Sequence, residues 1–131
     1  MQIQPHWRQL LLRTEKTAQA YEDYIKARDS QSGCPLCDSD EILKEFDHWL
    51  LMHNKFPYDR YFAKSDMLVP KRHITEGQLN DAERLEFVEL KQNVLYTEYD
   101  SIIEHFPAQK SIPEHLHFHL VQYKRADGEP R

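Results

Sequence analysis

His115-Leu116-His117-Phe118-His119-Leu120-Val121-Gln122-Tyr123 is the stretch on which the fold turns. For its first six residues polar and apolar side chains alternate. In an extended strand, side chains two apart point to the same face. The spacing therefore predicts a strand with His115, His117 and His119 on one face and Leu116, Phe118 and Leu120 on the other. Each imidazole loses hydration on burial and needs a partner, so three in a row do little for a core and point to a site. Two plainer readings compete. One is a solvated strand face on which histidine is incidental. The other is a three-histidine metal site in a cupin-like barrel, which needs many glycine-punctuated strands; the chain has three glycines and long helical patterns.

Working outward, the apolar face of that strand has a partner in the segment from Asn80 to about His105. Asn80 is an N-cap candidate, and Glu83 three residues on completes a capping-box pair. Leu85, Val88, Leu95, Tyr99, Ile102 and Ile103 form the expected apolar stripe, with Glu83, Glu86, Glu89, Lys91 and Glu98 as its solvated side. Further upstream, Glu41 to Glu45 and Trp49 to Asn54 read as a hairpin around Asp47-His48. Phe56-Pro57-Tyr58-Asp59 breaks the chain, Arg60 to Ser65 reads as loop, and Met67-Leu68-Val69 is a third strand ended by Pro70. Pro5 to Arg28 reads as one helix, with Trp7, Leu10, Leu11, Ala18, Tyr21, Tyr24 and Ile25 near helical spacing. Only Phe106 to Glu114 separates the long helix from the histidine strand. The expectation is an α+β domain: a small, mostly antiparallel sheet of about four strands, a long helix packed on it, and an additional N-terminal helix. The boundaries are 1–30 for the helical extension and 31–131 for the main domain.

Composition narrows the function. The 131 residues fit one domain, and 40% apolar content is enough to bury a core. A net charge of −5 argues against generic binding to a nucleic-acid backbone. No apolar run approaches the roughly 20 residues of a membrane span, and Met1 to Arg13 lacks the pattern of a secretory signal. The expected compartment is the cytoplasm. Lys55, Arg60, Lys64, Lys71 and Arg72 form a basic stretch that could steer phosphates or be ordinary solvated charge. His6, His48, His53 and His105 fit no ligand set, and Trp7 and Trp49 read as core or dimer contacts.

Cys34-Pro35-Leu36-Cys37 cannot build a disulfide framework. A Cys-x-x-Cys turn is the usual half-site for tetrahedral Zn²⁺. A redox pair would sit between a strand and the start of a helix, whereas this one follows a helix and a polar break; unligated thiols are the third reading.

Taken together, these segments resemble the histidine-triad (HIT) superfamily. His115-Leu-His117-Phe-His119-Leu-Val121 matches His-φ-His-φ-His-φ-φ, where φ is apolar. Asn54-Lys55-Phe56-Pro57-Tyr58 and Met67-Leu68-Val69-Pro70-Lys71-Arg72-His73 match the upstream turn and strand end. The turn is similar to that of diadenosine-polyphosphate phosphorylases and hydrolases, and the early Cys-x-x-Cys to that of the zinc-containing branch. The resemblance covers about Gly33 to Tyr123 and implies a HIT-like domain. It also implies a structural Zn²⁺ on Cys34, Cys37, His73 and His115. His117 would be the nucleophile and His119 the contact to the α-phosphate and leaving group. Asn54 would approach the ribose, and Ser111 stands one step from the family's serine before the triad. A neutral imidazole attacks phosphorus well near pH 7 and leaves well once protonated. The implied function is nucleotide hydrolysis or nucleotidyl transfer through a nucleotidyl-histidine, with His119 at the last triad position favouring hydrolysis. The alternative is a catalytically weak nucleotide-binding or zinc-stabilised interaction module. The implied partners are a small nucleotide substrate and a second copy of the chain, with no nucleic acid and no membrane.

Overall fold

The computed structural model describes residues 7–28, 33–106, 112–127 and 129. Helices α1 (Trp7–Leu10) and α2 (Glu15–Ala27) come first. The strands are β1 (Ile42–Glu45), β2 (Trp49–His53), β3 (Phe62–Pro70), β4 (Ser101–Ile103) and β5 (Phe118–Tyr123). Helix α3 (Asp81–Leu90) runs between β3 and β4 and continues through a π turn, Lys91–Leu95, into Tyr96–Glu98. The strands form one antiparallel sheet in the order β1-β2-β3-β5-β4. This is the expected α+β architecture, and no helix among the described residues is long and apolar enough to cross a membrane.

The alternation at the triad holds. Leu116, Phe118 and Leu120 are buried in one cluster with Trp49, Leu51, Leu68, Leu90, Leu95 and Tyr99, on the side of the sheet that α3 covers. The imidazoles of His115, His117 and His119 take the other side. Regular pairing begins at Phe118, so His115 to His117 lead into the strand, with the Leu116 N–H donating to the Ile74 carbonyl at 2.8 Å.

Four sequence expectations need correction. The sheet has five strands among the described residues, where about four were expected. The missing one is Ser101–Ile103, which lies inside the stretch read as helix to His105. The helix ends at Tyr99, whose backbone is extended and whose hydroxyl donates to Asp66 at 2.5 Å. The β-branched Ile102 and Ile103 then pair with Leu120 and His119. Secondly, β3 starts at Phe62, so most of the stretch read as loop is strand. Its Lys64-Ser65-Asp66 run looks like loop because it is polar. Ser65 and Asp66 are nevertheless buried, Ser65 accepting from the Tyr58 N–H at 3.0 Å and Asp66 from Tyr99.

Thirdly, the N-terminal helix is broken between Leu10 and Glu15. Thr14 is extended, and its side chain accepts from the Thr17 N–H. Fourthly, Leu85 (62% exposed) and Val88 face outward, while Phe87, Leu90, Val94 and Leu95 pack on the sheet. Helix α3 carries apolar residues on two faces, and the sequence stripe mixed them. Glu83, expected on the solvated side, is buried. It completes the capping box with Asn80 and pairs with Arg72 at 2.6 Å. Lys71 is likewise matched with Glu45 at 2.8 Å, so two of the five cations of the basic stretch are neutralised locally.

Arg72 first, and the Asn80 N–H after it, hold the Glu83 carboxyl below the ordinary glutamate range against desolvation. A depressed carboxylate contributes stability that is present above its unfolded pKa, about 4.3, and is lost as pH falls through its folded value. Glu83→Ala is expected to lower stability in urea at pH 7 by about 2 kcal/mol. That difference should shrink in acid below about pH 4. Leu85→Ala, on the exposed side of the same helix, should change stability by less than about 0.5 kcal/mol.

Candidate functional site

Two groups of side chains meet at the triad. The first joins the Cys-x-x-Cys turn to the end of β3 and the approach to β5. The ligand atoms of Cys34, Cys37, His73 and His115 all lie within 4.8 Å of one another. His115 Nδ1 is 3.5 Å from Cys34 Sγ and 3.4 Å from Cys37 Sγ, and His73 Nδ1 is 3.3 Å from Cys37 Sγ. With metal–sulfur bonds near 2.3 Å and metal–nitrogen bonds near 2.0–2.1 Å, a tetrahedron puts sulfur and nitrogen about 3.6 Å apart. The four side chains therefore fit one tetrahedral divalent metal with little adjustment.

The ring of His115 is oriented for that role. Its Nε2–H donates to the Pro70 carbonyl at 3.0 Å, which leaves Nδ1 to face the thiols. Desolvation first, and then the neighbouring His73, lower its pKa, so it presents a neutral imidazole. Desolvation and the neighbouring Cys34 thiol push the Cys37 thiol up to about 11. Metal binding at neutral pH must therefore release protons.

The second group lies along the same strand. His117 Nδ1–H donates to the His115 carbonyl at 2.9 Å, the tautomer in which Nε2 carries the lone pair. His117 is only 6% exposed, yet it lines a cavity of about 1000 Å³ together with His119, Asn54, Tyr58, His105 and Arg13. The His117 and His119 rings meet edge to face at 5.2 Å. The Tyr58 hydroxyl lies 3.0 Å from His119 Nε2 and 2.7 Å from His105 Nε2, so it donates to one ring and accepts from the other. Burial above all, with His117, His105 and Arg13 adding to it, keeps His119 well below the usual histidine value and hence neutral. Its Nδ1 is buried with no hydrogen-bond partner among the described residues. A buried side-chain nitrogen left without a partner is unusual in a native fold.

The remaining candidates divide. Asn54 reaches the cavity, but its amide is used locally, donating to Ser65 Oγ at 3.4 Å and accepting from the Phe56 N–H at 3.1 Å. Ser111 lies outside the described residues, and its neighbour Ile112 lines the cavity. Trp49 is core as expected, whereas Trp7 is 60% exposed on the cavity wall. His105, set aside in the sequence reading, and Arg13, never singled out there, both line the site. Tyr58 was quoted only as part of a turn. His105 sits beyond the misread helix end, so no local spacing tied it to the triad.

No family model matches the chain, and no curated protein matches it. Among solved structures, a HIT family hydrolase from Legionella pneumophila Philadelphia 1 is similar at 17% identity with a TM-score of 0.50. The match covers 71% of this chain and 95% of that one. The fold is thus HIT-like, and the extra length is on the side of this chain.

Purified protein is expected to carry about one equivalent of divalent metal per chain by elemental analysis. Cys37→Ser and His73→Ala should each reduce that to below about half and lower the melting temperature, because metal binding and folding are linked.

Proposed function

We propose that this protein is a nucleotide hydrolase or nucleotidyl transferase that works through a covalent intermediate on His117. The observation that carries the reading is the Nδ1–H bond from His117 to the His115 carbonyl, in a ring that lines a nucleotide-sized cavity beside His119. In that tautomer Nε2 would attack the α-phosphorus of a nucleoside phosphate, dinucleoside polyphosphate or phosphoramidate. An N–P bond forms as the bond from phosphorus to the leaving group breaks, and the departing group takes a proton from solvent, which the attacking water of the second step returns. Water, or another acceptor, then attacks the same phosphorus. The N–P bond breaks, the nucleotide leaves, and the imidazole is regenerated. His119 would contact the phosphoryl oxygens and the leaving group. Asn54 stands near the ribose, and Ser111 is assigned to the substrate by motif position alone.

The metal is proposed to be Zn²⁺, because two thiolates and two imidazoles in a tetrahedral set suit that ion. With four protein ligands there is no open position for substrate, so its role would be structural. A reducing compartment, the cytoplasm, would keep Cys34 and Cys37 as ligands. The extension 1–30 is proposed as an addition to the HIT-like domain 31–131. Leu85, Val88 and Tyr96 on the exposed side of the long helix would serve pairing with a second copy. A second reading, nucleotide binding with weak chemistry, draws on His119, whose Nε2 already meets Tyr58 and whose burial opposes protonation.

The test is turnover of adenosine phosphoramidate and diadenosine polyphosphates by the protein and by His117→Ala. Removing the nucleophile is expected to abolish at least about 99% of the rate. Equal rates in the two proteins would overturn the mechanism. Binding of nucleotide without product would favour the second reading.

A further inference from the structure

We propose that Arg13, carried on the N-terminal segment, is a phosphate-binding residue of the cavity that His117 and His119 line. The proposal rests on the nucleotide reading only for the identity of the ligand. Its geometric basis is separate.

Arg13 is 7% exposed, which makes it the buried one among the cations that line this cavity; Arg8 and Lys55 are exposed and Arg28 is intermediate. A guanidinium offers five N–H donors and stays charged. Nε donates to the Phe56 carbonyl at 2.8 Å, and Nη1 donates to Gln9 Oε1 at 2.6 Å. Nη2 has no partner among the described residues, and no carboxylate there forms an ion pair with Arg13. Asp59 and Glu22 act on it through space only, and Asp59 is engaged by the Thr14 N–H at 2.9 Å and by the Thr17 hydroxyl at 2.5 Å. What the guanidinium has instead is aromatic surface, with Cζ 4.3 Å from the Tyr21 ring centre and 4.8 Å from that of Tyr58.

Those rings steady the cation but do not neutralise it. A buried charge that no carboxylate contacts directly is costly unless an anion joins it. The site for that anion is close at hand. Tyr58 stacks on His119 at 4.3 Å between ring centres, so Arg13 and His119 are separated by a single ring. His119 lines the same cavity. The planar guanidinium edge that Nη2 leaves open suits a tetrahedral oxyanion such as the phosphate of a nucleotide. Arg13 would thus be contributed from outside the HIT-like core to the place where the charge of the substrate must sit.

The experiment is calorimetric titration with AMP and with adenosine, which share every group except the phosphate. Protein with Arg13→Gln is expected to lose about ten- to hundredfold in AMP affinity, the worth of a charge-assisted hydrogen bond. Its adenosine affinity should stay within about threefold, and Arg13→Lys should fall between. Equal AMP affinity in Arg13→Gln and wild type would overturn the proposal. So would a parallel loss for AMP and adenosine, since that describes a residue that only supports the cavity wall. Failure of the wild-type protein to bind AMP would sink the nucleotide reading itself. In that case, or if Arg13→Gln does not fold, tungstate soaked into wild-type crystals decides. Anomalous density within hydrogen-bond distance of the guanidinium supports the assignment. Density elsewhere, or none, overturns it.

Discussion

Burial of three imidazoles side by side along one strand and its approach is the constraint around which this molecule is arranged. Side-chain alternation gives no choice: once Leu116, Phe118 and Leu120 are committed to the hydrocarbon under α3, the three histidines share the opposite side. Each apolar side chain contributes about 1.5–3 kcal/mol by leaving water, enough to hold the segment down while the polar side is desolvated. That desolvation is then met ring by ring. His115 has the Pro70 carbonyl and the two thiols. His117 uses a backbone carbonyl two residues back, and His119 uses the Tyr58 hydroxyl. The account closes everywhere except at His119 Nδ1. Among the described residues it is the one buried side-chain polar atom left without a partner, in a ring that lines the cavity.

The four-ligand cluster follows from the same constraint. His115 cannot sit on the imidazole side without a partner for Nδ1, and the knuckle that provides it is 78 residues away in sequence. Cys34 and Leu36 pack there with Met52 and Val69 in a second apolar cluster, so the knuckle is positioned by hydrophobic contact as well as by ligand geometry. A metal at this point would tie the turn, the end of β3 and the approach to β5 to one another. It would also fix the backbone carbonyl that selects the tautomer of His117, two residues along. A metal at this point and His117 would thus be coupled through one stretch of backbone rather than through any shared ligand.

Period and spacing made much of this legible. The orientation of the triad, the Asn80–Glu83 capping box and the Cys34/Cys37/His73/His115 set were all readable, because each is a local pattern or a local motif read against a family resemblance. What was not readable depended on contacts between distant segments. Lys64-Ser65-Asp66 has the composition of a loop and becomes strand because β5 needs a partner and because Tyr58 and Tyr99 satisfy its buried polar groups. Ile102 and Ile103 fit a helical stripe as well as a strand, and only the extended backbone at Tyr99 separates the two outcomes. His105 and Arg13 carry no spacing signal at all. Their place at the site follows from where β4 ends and where the N-terminal segment folds back.

That fold-back explains why the helix break between Leu10 and Glu15 is a working part of the structure. A single helix from Pro5 to Arg28 would lie on the domain as a rod. Here the chain stops at Leu10, and Thr14 caps a new helix whose first turn is tied to Asp59. Hydrogen bonds from Thr17 and Thr14 to Asp59 outweigh desolvation and hold its carboxyl below the ordinary aspartate range, so the tie is a charged one at neutral pH. Tyr21 stacks on Phe56 at 5.3 Å and Tyr24 lies against the same ring at 5.0 Å, fastening α2 to the turn that follows Asn54. Arg13 immediately precedes the cap, so the bonds that start α2 also set where its guanidinium lies. The segment outside the sheet therefore provides walls and a charge to a cavity that His117 and His119 line from the other side. Loosening the Thr14–Asp59 tie would therefore act on Arg13 at the cavity wall without touching a single residue of the triad.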